Sequence, residues 1–168
     1  MFVSIAHIRG DDCHKEIWDL IVPMHRKRDF IFRVDDHKAF IVSESRPNSF
    51  DSIRIYDPVI NVGDEFVFAL RADASVTLPR RGTRFGLPLN KCVNWLLQRC
   101  DRNGFSVSAN TVMIDRYTTM PIKGSDVTIA DFSGVLTVTD VNKFKHALFH
   151  GIGHSKAFGC GLLQIRRS

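Results

Sequence analysis

The chain predicts an α+β fold of two tandem ferredoxin-like (RRM-like, β-α-β-β-α-β) domains, the first with a degenerate second helix. Three observations predict it. Short alternating apolar runs mark strands, and longer stretches with apolar residues at helical spacing fall between them. The order strand, helix, strand, strand, helix, strand fits both halves of the chain, the split βαβ arrangement. At 168 residues the chain holds two small units, each marginal alone and stable only by packing on the other. The halves are expected at residues 1–75 and 76–168, with the boundary between Ala72 and Pro79.

Phe2 to Ile8 alternates and is β-branched, a first strand. Cys13, Ile17, Leu20, Ile21 and Met24 recur at helical spacing after the N-cap chemistry of Asp11 and Asp12, and Pro23 ends that helix near Val22. Phe30 to Val34 and Ala39 to Val42 are two strands joined through Asp35, Asp36 and His37, whereas Arg46 to Tyr56 shows no pattern that assigns it. Phe66, Phe68 and Leu70 alternate with Val67, Ala69 and Arg71, a strand read as the last of the first half. The second half opens with strand character near Val76 to Leu78 and Thr83 to Leu87. Leu89, Cys92, Val93, Leu96, Leu97 and Cys100 then mark one face of a helix that stops at Asn103-Gly104. Phe105 to Tyr117 is strand-like, Thr118 to Asp126 is a polar loop carrying Lys123, and Val127 to Val138 is a long strand. Asp140 caps a helix burying Val141, Phe144, Ala147 and Leu148, and Leu162 to Ile165 forms the last strand.

Hydrophobic residues make up 44% and charged residues 24%, which excludes disorder and suits a globular core built on 13 Phe. No apolar run approaches the ~18 residues a membrane span needs, and Met1 to Arg9 lacks a basic segment ahead of its apolar part. The expectation is a soluble cytoplasmic protein with no membrane partner. Cys13, Cys92, Cys100 and Cys160 form no C-x-x-C pair, so they read as small hydrophobes. A net charge of +5, with basic residues grouped at 26–28, at Arg80, Arg81 and Arg84, and at 166–167, favours a polyanionic partner.

Gly151-Ile-Gly-His-Ser-Lys-Ala-Phe-Gly-Cys-Gly161 is the most distinctive stretch. Glycine lets backbone N–H groups approach an anion closely, and Lys156 adds a point charge. The loop reads equally as a phosphate-contacting turn and as a helix cap followed by a closely packed strand; it is no Walker or dinucleotide motif. His146, His150 and His154 are four apart but straddle a helix end, and no H-E-x-x-H accompanies them, so no metal site and no cofactor is expected. His14 lies in the first turn of the first helix, one residue off its apolar line and facing a groove. Histidine is suited to take and give a proton near neutral pH. Taken alone, His14 also stands as a helix-end histidine without a chemical role.

Five stretches in order resemble the CasE family, CRISPR repeat-processing endoribonucleases of the type I-E kind. They are His14-Lys-Glu-Ile-Trp18, Arg28-Asp-Phe-Ile-Phe32, Phe68-Ala-Leu-Arg-Ala-Asp73, Phe132-Ser-Gly-Val-Leu-Thr-Val138 and the glycine loop. The resemblance implies metal-independent cleavage of CRISPR precursor RNA at the repeat hairpin, leaving 2′,3′-cyclic phosphate and 5′-hydroxyl ends. It implies His14 as the catalytic histidine, and a protein that keeps its product as a subunit of a Cascade-like crRNA surveillance complex. Asp11 stands where some relatives carry a tyrosine, and the chain is shorter than typical members, as a compact relative from another subtype such as type IV would be.

Residue chemistry adds Lys156 and the loop positions Gly151, Gly153 and Ser155 as phosphate contacts. It adds Arg28, Arg80, Arg81, Arg84 and Arg116 as contacts to the RNA backbone. The alternative is a subunit that grips the hairpin without cutting it. A generic RRM-like binder is disfavoured, because Glu65-Phe-Val-Phe68 is a poor substitute for that domain's aromatic motif.

Overall fold

The computed structural model describes all residues except 11–12, 22–27, 48–51, 78–83, 123–124 and 168, with the main chain alone at 20, 120–122 and 125–126. Two antiparallel sheets carry the chain. The first contains β1 (Phe2–His7), β2 (Phe30–Asp35), β3 (Lys38–Ser43) and β4 (Ser52–Ile55), with α1 (Cys13–Ile21) between β1 and β2. Its order, β2-β3-β1-β4, is the ferredoxin-like one, and no helix lies between β3 and β4 among the described residues.

The second sheet takes β5 (Glu65–Asp73), β8 (Phe105–Val107), β9 (Met113–Ile122), β10 (Ser125–Val138) and β11 (Leu163–Arg167). Between β5 and β8 come the small hairpin β6 (Ser75–Thr77) and β7 (Arg84–Gly86), then α2 (Leu89–Cys100); α3 (Val141–His150) precedes the glycine loop. The order β11-β5-β10-β8 repeats the first sheet's arrangement, and β9 extends it along β10.

The strand pairing corrects the expected boundary at residue 75. β5 pairs with β10 and β11, so it opens the second unit instead of closing the first. The first sheet closes instead with β4, inside the stretch that had no readable pattern. Its residues Ser52, Arg54 and Ile55 are exposed, and it exists through main-chain bonds to β1, which leave no hydrophobic signature. The polar loop expected at 118–126 is likewise a hairpin, β9 running on to Ile122 against β10, with Lys123 outside the described residues. Its threonines are held by backbone pairing on an open edge.

Period-two alternation sorts the second core. Phe66, Phe68, Leu70 and Ala72 of β5 join Trp95 and Leu96 of α2 and Phe144, Ala147 and Leu148 of α3. Trp95 stacks on Phe132 with ring centroids 6.1 Å apart. Asp140 caps α3 by accepting from the Lys143 amide at 3.1 Å, as its sequence position predicted.

β2 is the strand that ties the two units together. Its even residues, Phe30, Phe32 and Val34, lie under α1 with Ile17 and Ile21. Ile31 faces the other way, onto Leu162 and Phe149 of the second unit. Arg33 and Asp35, on the same face as Ile31, reach the second sheet as ions: Arg33 bonds Asp35 at 2.7 Å and lies 3.6 Å from Asp131. The sequence reading missed this network, since charged residues alternating in a strand resemble a solvated face.

Candidate nucleic-acid site

Glu16 fixes the entry to α1. Its carboxylate reaches back to accept from the amides of Arg9 at 3.1 Å and Gly10 at 2.8 Å, tying the end of the segment after β1 to the helix. That places His14, half-buried, on the helix face over β2. Its ring lies 6.3 Å from Phe32, 6.5 Å from Phe30 and 5.9 Å from Trp18 between centroids. The imidazole therefore stands at the edge of an aromatic shelf that fixes its orientation.

Arg28 occupies the same shelf. Its guanidinium carbon sits 5.1 Å from the Phe30 ring centroid and 6.0 Å from that of Phe32, a cation–π arrangement. Arg28 Nε donates to the Phe30 carbonyl at 3.0 Å, and Nη2 donates to the carbonyl of Lys156 at 3.1 Å. Lys156 opens a 3-10 turn, Lys156–Phe158, which α1 and β2 both approach. Burial, then the positive charge of Arg28, lowers the Lys156 ammonium from its ordinary value. A cavity of about 240 Å³ beside the turn is lined by Arg28, Phe30, Phe149, His150 and Lys156, with the acids Asp29 and Glu44 at its rim. His14 and Arg28 thus meet at one aromatic pair, and Lys156, from a third segment, shares a cavity with Arg28 and Phe30.

The other expected contacts are distributed differently. The Gly151 amide is committed as the cap of α3, donating to Ala147 at 2.8 Å, so it is corrected from phosphate contact to helix end. Gly153 is exposed, with a Cβ direction 3.6 Å from the Trp95 ring. The Ser155 hydroxyl donates to Asp73, and Arg84 pairs with the same carboxylate, so both are engaged within the protein. Arg116 is exposed on β9 and lines a separate cavity of about 140 Å³ with Arg71, Thr118, Ile129 and Phe158. Arg80 and Arg81, like Asp11, lie outside the described residues. His146 and His150 sit 4.4 Å apart on α3, and no group of three metal-ligating side chains occurs among the described residues.

The model of the CRISPR associated protein family matches residues 7–167. The chain belongs to this family. No curated protein sequence matches it. Solved structures of the same fold include Thermus thermophilus Cse3 bound to an RNA representing a pre-cleavage complex, with a TM-score of 0.78 at 19% identity over 98% of each chain. Cas6e from Escherichia coli K-12 gives 0.77 at 23% identity with both chains fully covered. A subunit of a CRISPR RNA-guided surveillance complex gives 0.77 at 19% identity, again with both chains fully covered. The CRISPR-family resemblance and the paired ferredoxin-like fold expected from the residues both stand. Among the described residues no helix is long and apolar enough to cross a membrane.

Sequence reasoning named His14, Arg28 and Lys156 as candidates but not the aromatic shelf on which His14 and Arg28 meet. The alternation of Phe30 and Phe32 within Arg28-Asp-Phe-Ile-Phe32 was the available signal, read only as strand core.

Proposed function

We propose that this member of the family is a metal-independent endoribonuclease that cuts CRISPR precursor RNA at the repeat hairpin. It then keeps the mature crRNA as a subunit of a cytoplasmic surveillance complex. The placement of His14 and Arg28 on the Phe30–Phe32 shelf, with Lys156 lining the cavity beside it, carries the reading. The 2′-oxygen attacks the adjacent phosphorus while the bond from phosphorus to the 5′-oxygen breaks. The proton leaving the 2′-hydroxyl and the proton arriving at the 5′-oxygen both need a carrier, and His14 is the side chain on the shelf able to accept and donate one. Arg28 and Lys156 stabilise the charge that builds on the phosphorane. The products are a 2′,3′-cyclic phosphate and a 5′-hydroxyl. Arg116, exposed on β9, contacts the stem through its phosphate backbone.

The test is cleavage of a labelled repeat-hairpin RNA in EDTA, with binding measured in parallel. Wild type cuts, and His14→Ala binds equally but loses roughly 10²- to 10⁴-fold in rate. Cutting that requires added magnesium sinks the mechanism. Tight binding by both proteins with cleavage by neither makes the chain a hairpin holder.

A further inference from the structure

Beneath the glycine loop lies a polar cluster that takes no direct part in this chemistry. Asp73, at the end of β5, has a side chain 0% exposed. Its Oδ2 accepts from both Arg84 Nη2 and the Ser155 hydroxyl. Arg84 Nη1 also lies 3.5 Å from Ser155 Oγ, closing a triangle. Oδ1 of Asp73 is buried without a hydrogen-bond partner among the described residues. A buried carboxylate left half-satisfied is costly, and such costs are characteristically kept where they hold a functional element in place.

Ser155 itself is strained. It adopts φ +57°, the left-handed region that residues with a Cβ seldom enter. That conformation lets the Ser155 carbonyl accept from Phe158 at 2.9 Å and starts the turn whose first residue is Lys156. The two neighbours are therefore anchored to different units: Ser155 to the second sheet through Asp73, and Lys156 to the first through Arg28.

We propose that Asp73 and Ser155 are positioning residues that hold Lys156 in the wall of the cavity it shares with Arg28 and Phe30, with Arg84 neutralising the carboxylate. The cluster assigns Arg84 to the loop's foundation and away from the RNA stem. The proposal rests on the endoribonuclease reading and on Lys156 as a phosphate contact.

Single-turnover cleavage of the repeat hairpin is measured for wild type, Ser155→Ala, Ser155→Gly, Lys156→Ala and the double variant Ser155→Ala/Lys156→Ala, with hairpin affinity and melting temperature alongside. Glycine relieves the strain at +57° but lacks the hydroxyl. Both serine variants are expected to lose roughly 10- to 100-fold in rate with unchanged affinity, the scale of a misplaced catalytic group, and by the same factor although glycine, by relieving the strain, melts higher than alanine. The double variant is then no slower than Lys156→Ala, because the serine acts only through the lysine. Wild-type rates in Ser155→Gly overturn the proposal, as do losses that multiply in the double variant or that track a fall in melting temperature. Wild type that binds but does not cut refutes the nuclease reading, and this proposal with it, whereas wild type that cuts alongside an unaffected Ser155→Gly refutes the positioning role alone.

Discussion

Arg71 and Asp131 are register partners on β5 and β10, joined by two parallel hydrogen bonds, Nε to Oδ1 at 2.7 Å and Nη2 to Oδ2 at 2.8 Å. The same guanidinium crosses to the first unit, donating to the Val34 carbonyl at 2.8 Å and to Asp35 at 2.9 Å. Hydrogen bonding to Asp131 raises the Arg71 guanidinium above its ordinary value, against the opposing effect of burial. One side chain thus ties β5 and β10 of the second sheet to β2 of the first.

Removing that fork leaves the Asp131 carboxylate, only 10% exposed, without its main partner. Arg71→Ala is expected to destabilise the fold by about 3 kcal/mol in urea denaturation. Arg71→Lys recovers only part of this, because an ammonium cannot serve both carboxylate oxygens and two further acceptors. Equal stability of Arg71→Lys and wild type would show that charge alone, without the fork, joins the units.

Asp35 gives a pH dependence. Burial pushes its carboxyl up, but the hydrogen bond and charge of Arg33, together with Arg71, outweigh it and hold the group below the usual carboxylate value. A depressed folded value contributes stability that is present above about pH 4 and lost as pH falls through the lower folded value. The side chain is 35% exposed, so solvent screening keeps the contribution below about 1 kcal/mol. Wild type should exceed Asp35→Asn by a constant margin near neutrality, and the margin should close in acid. A margin that widens as pH falls contradicts the assignment.

Two glycines separate backbone freedom from close packing. At Gly151, with φ +75°, an added Cβ would collide with Ile31 Cδ1 and come within 2.9 Å of the Gly161 carbonyl oxygen. At Gly63, with φ +89°, it would meet nothing. Gly63→Ala is expected to cost about 1 kcal/mol from conformation alone. Gly151→Ala adds the cost of overpacking, roughly 1 to 3 kcal/mol more. Thermal unfolding of the pair decides this, and equal losses would mean that the loop yields without strain.

Lys156 carries a second pH prediction. Its ammonium is lowered by burial and by Arg28, so the alkaline limb of kcat/KM for hairpin cleavage should fall below the ordinary lysine range. Arg28→Gln removes one of those causes, and the limb should move to higher pH whatever happens to the maximal rate. A limb that stays fixed excludes Lys156 as the group it reports.

The sequence by itself determined the helices, most of the strands and the doubled strand–helix order, because each buries an apolar face with a readable period. It also named His14, Arg28 and Lys156 as candidates, from residue type and from the family resemblance. Only the tertiary structure decided which sheet β5 joins, since Phe66, Phe68 and Leu70 would alternate identically in either. The polar strand β4 and the hairpin β9–β10 were illegible for a related reason: main-chain pairing creates them, and main-chain atoms are the same in every residue. The Arg28–Lys156 and Asp73–Ser155 contacts join residues far apart in the chain, 128 and 82 positions. No local pattern encodes such distances; tertiary packing does, between the units for Arg28–Lys156 and within the second unit for Asp73–Ser155.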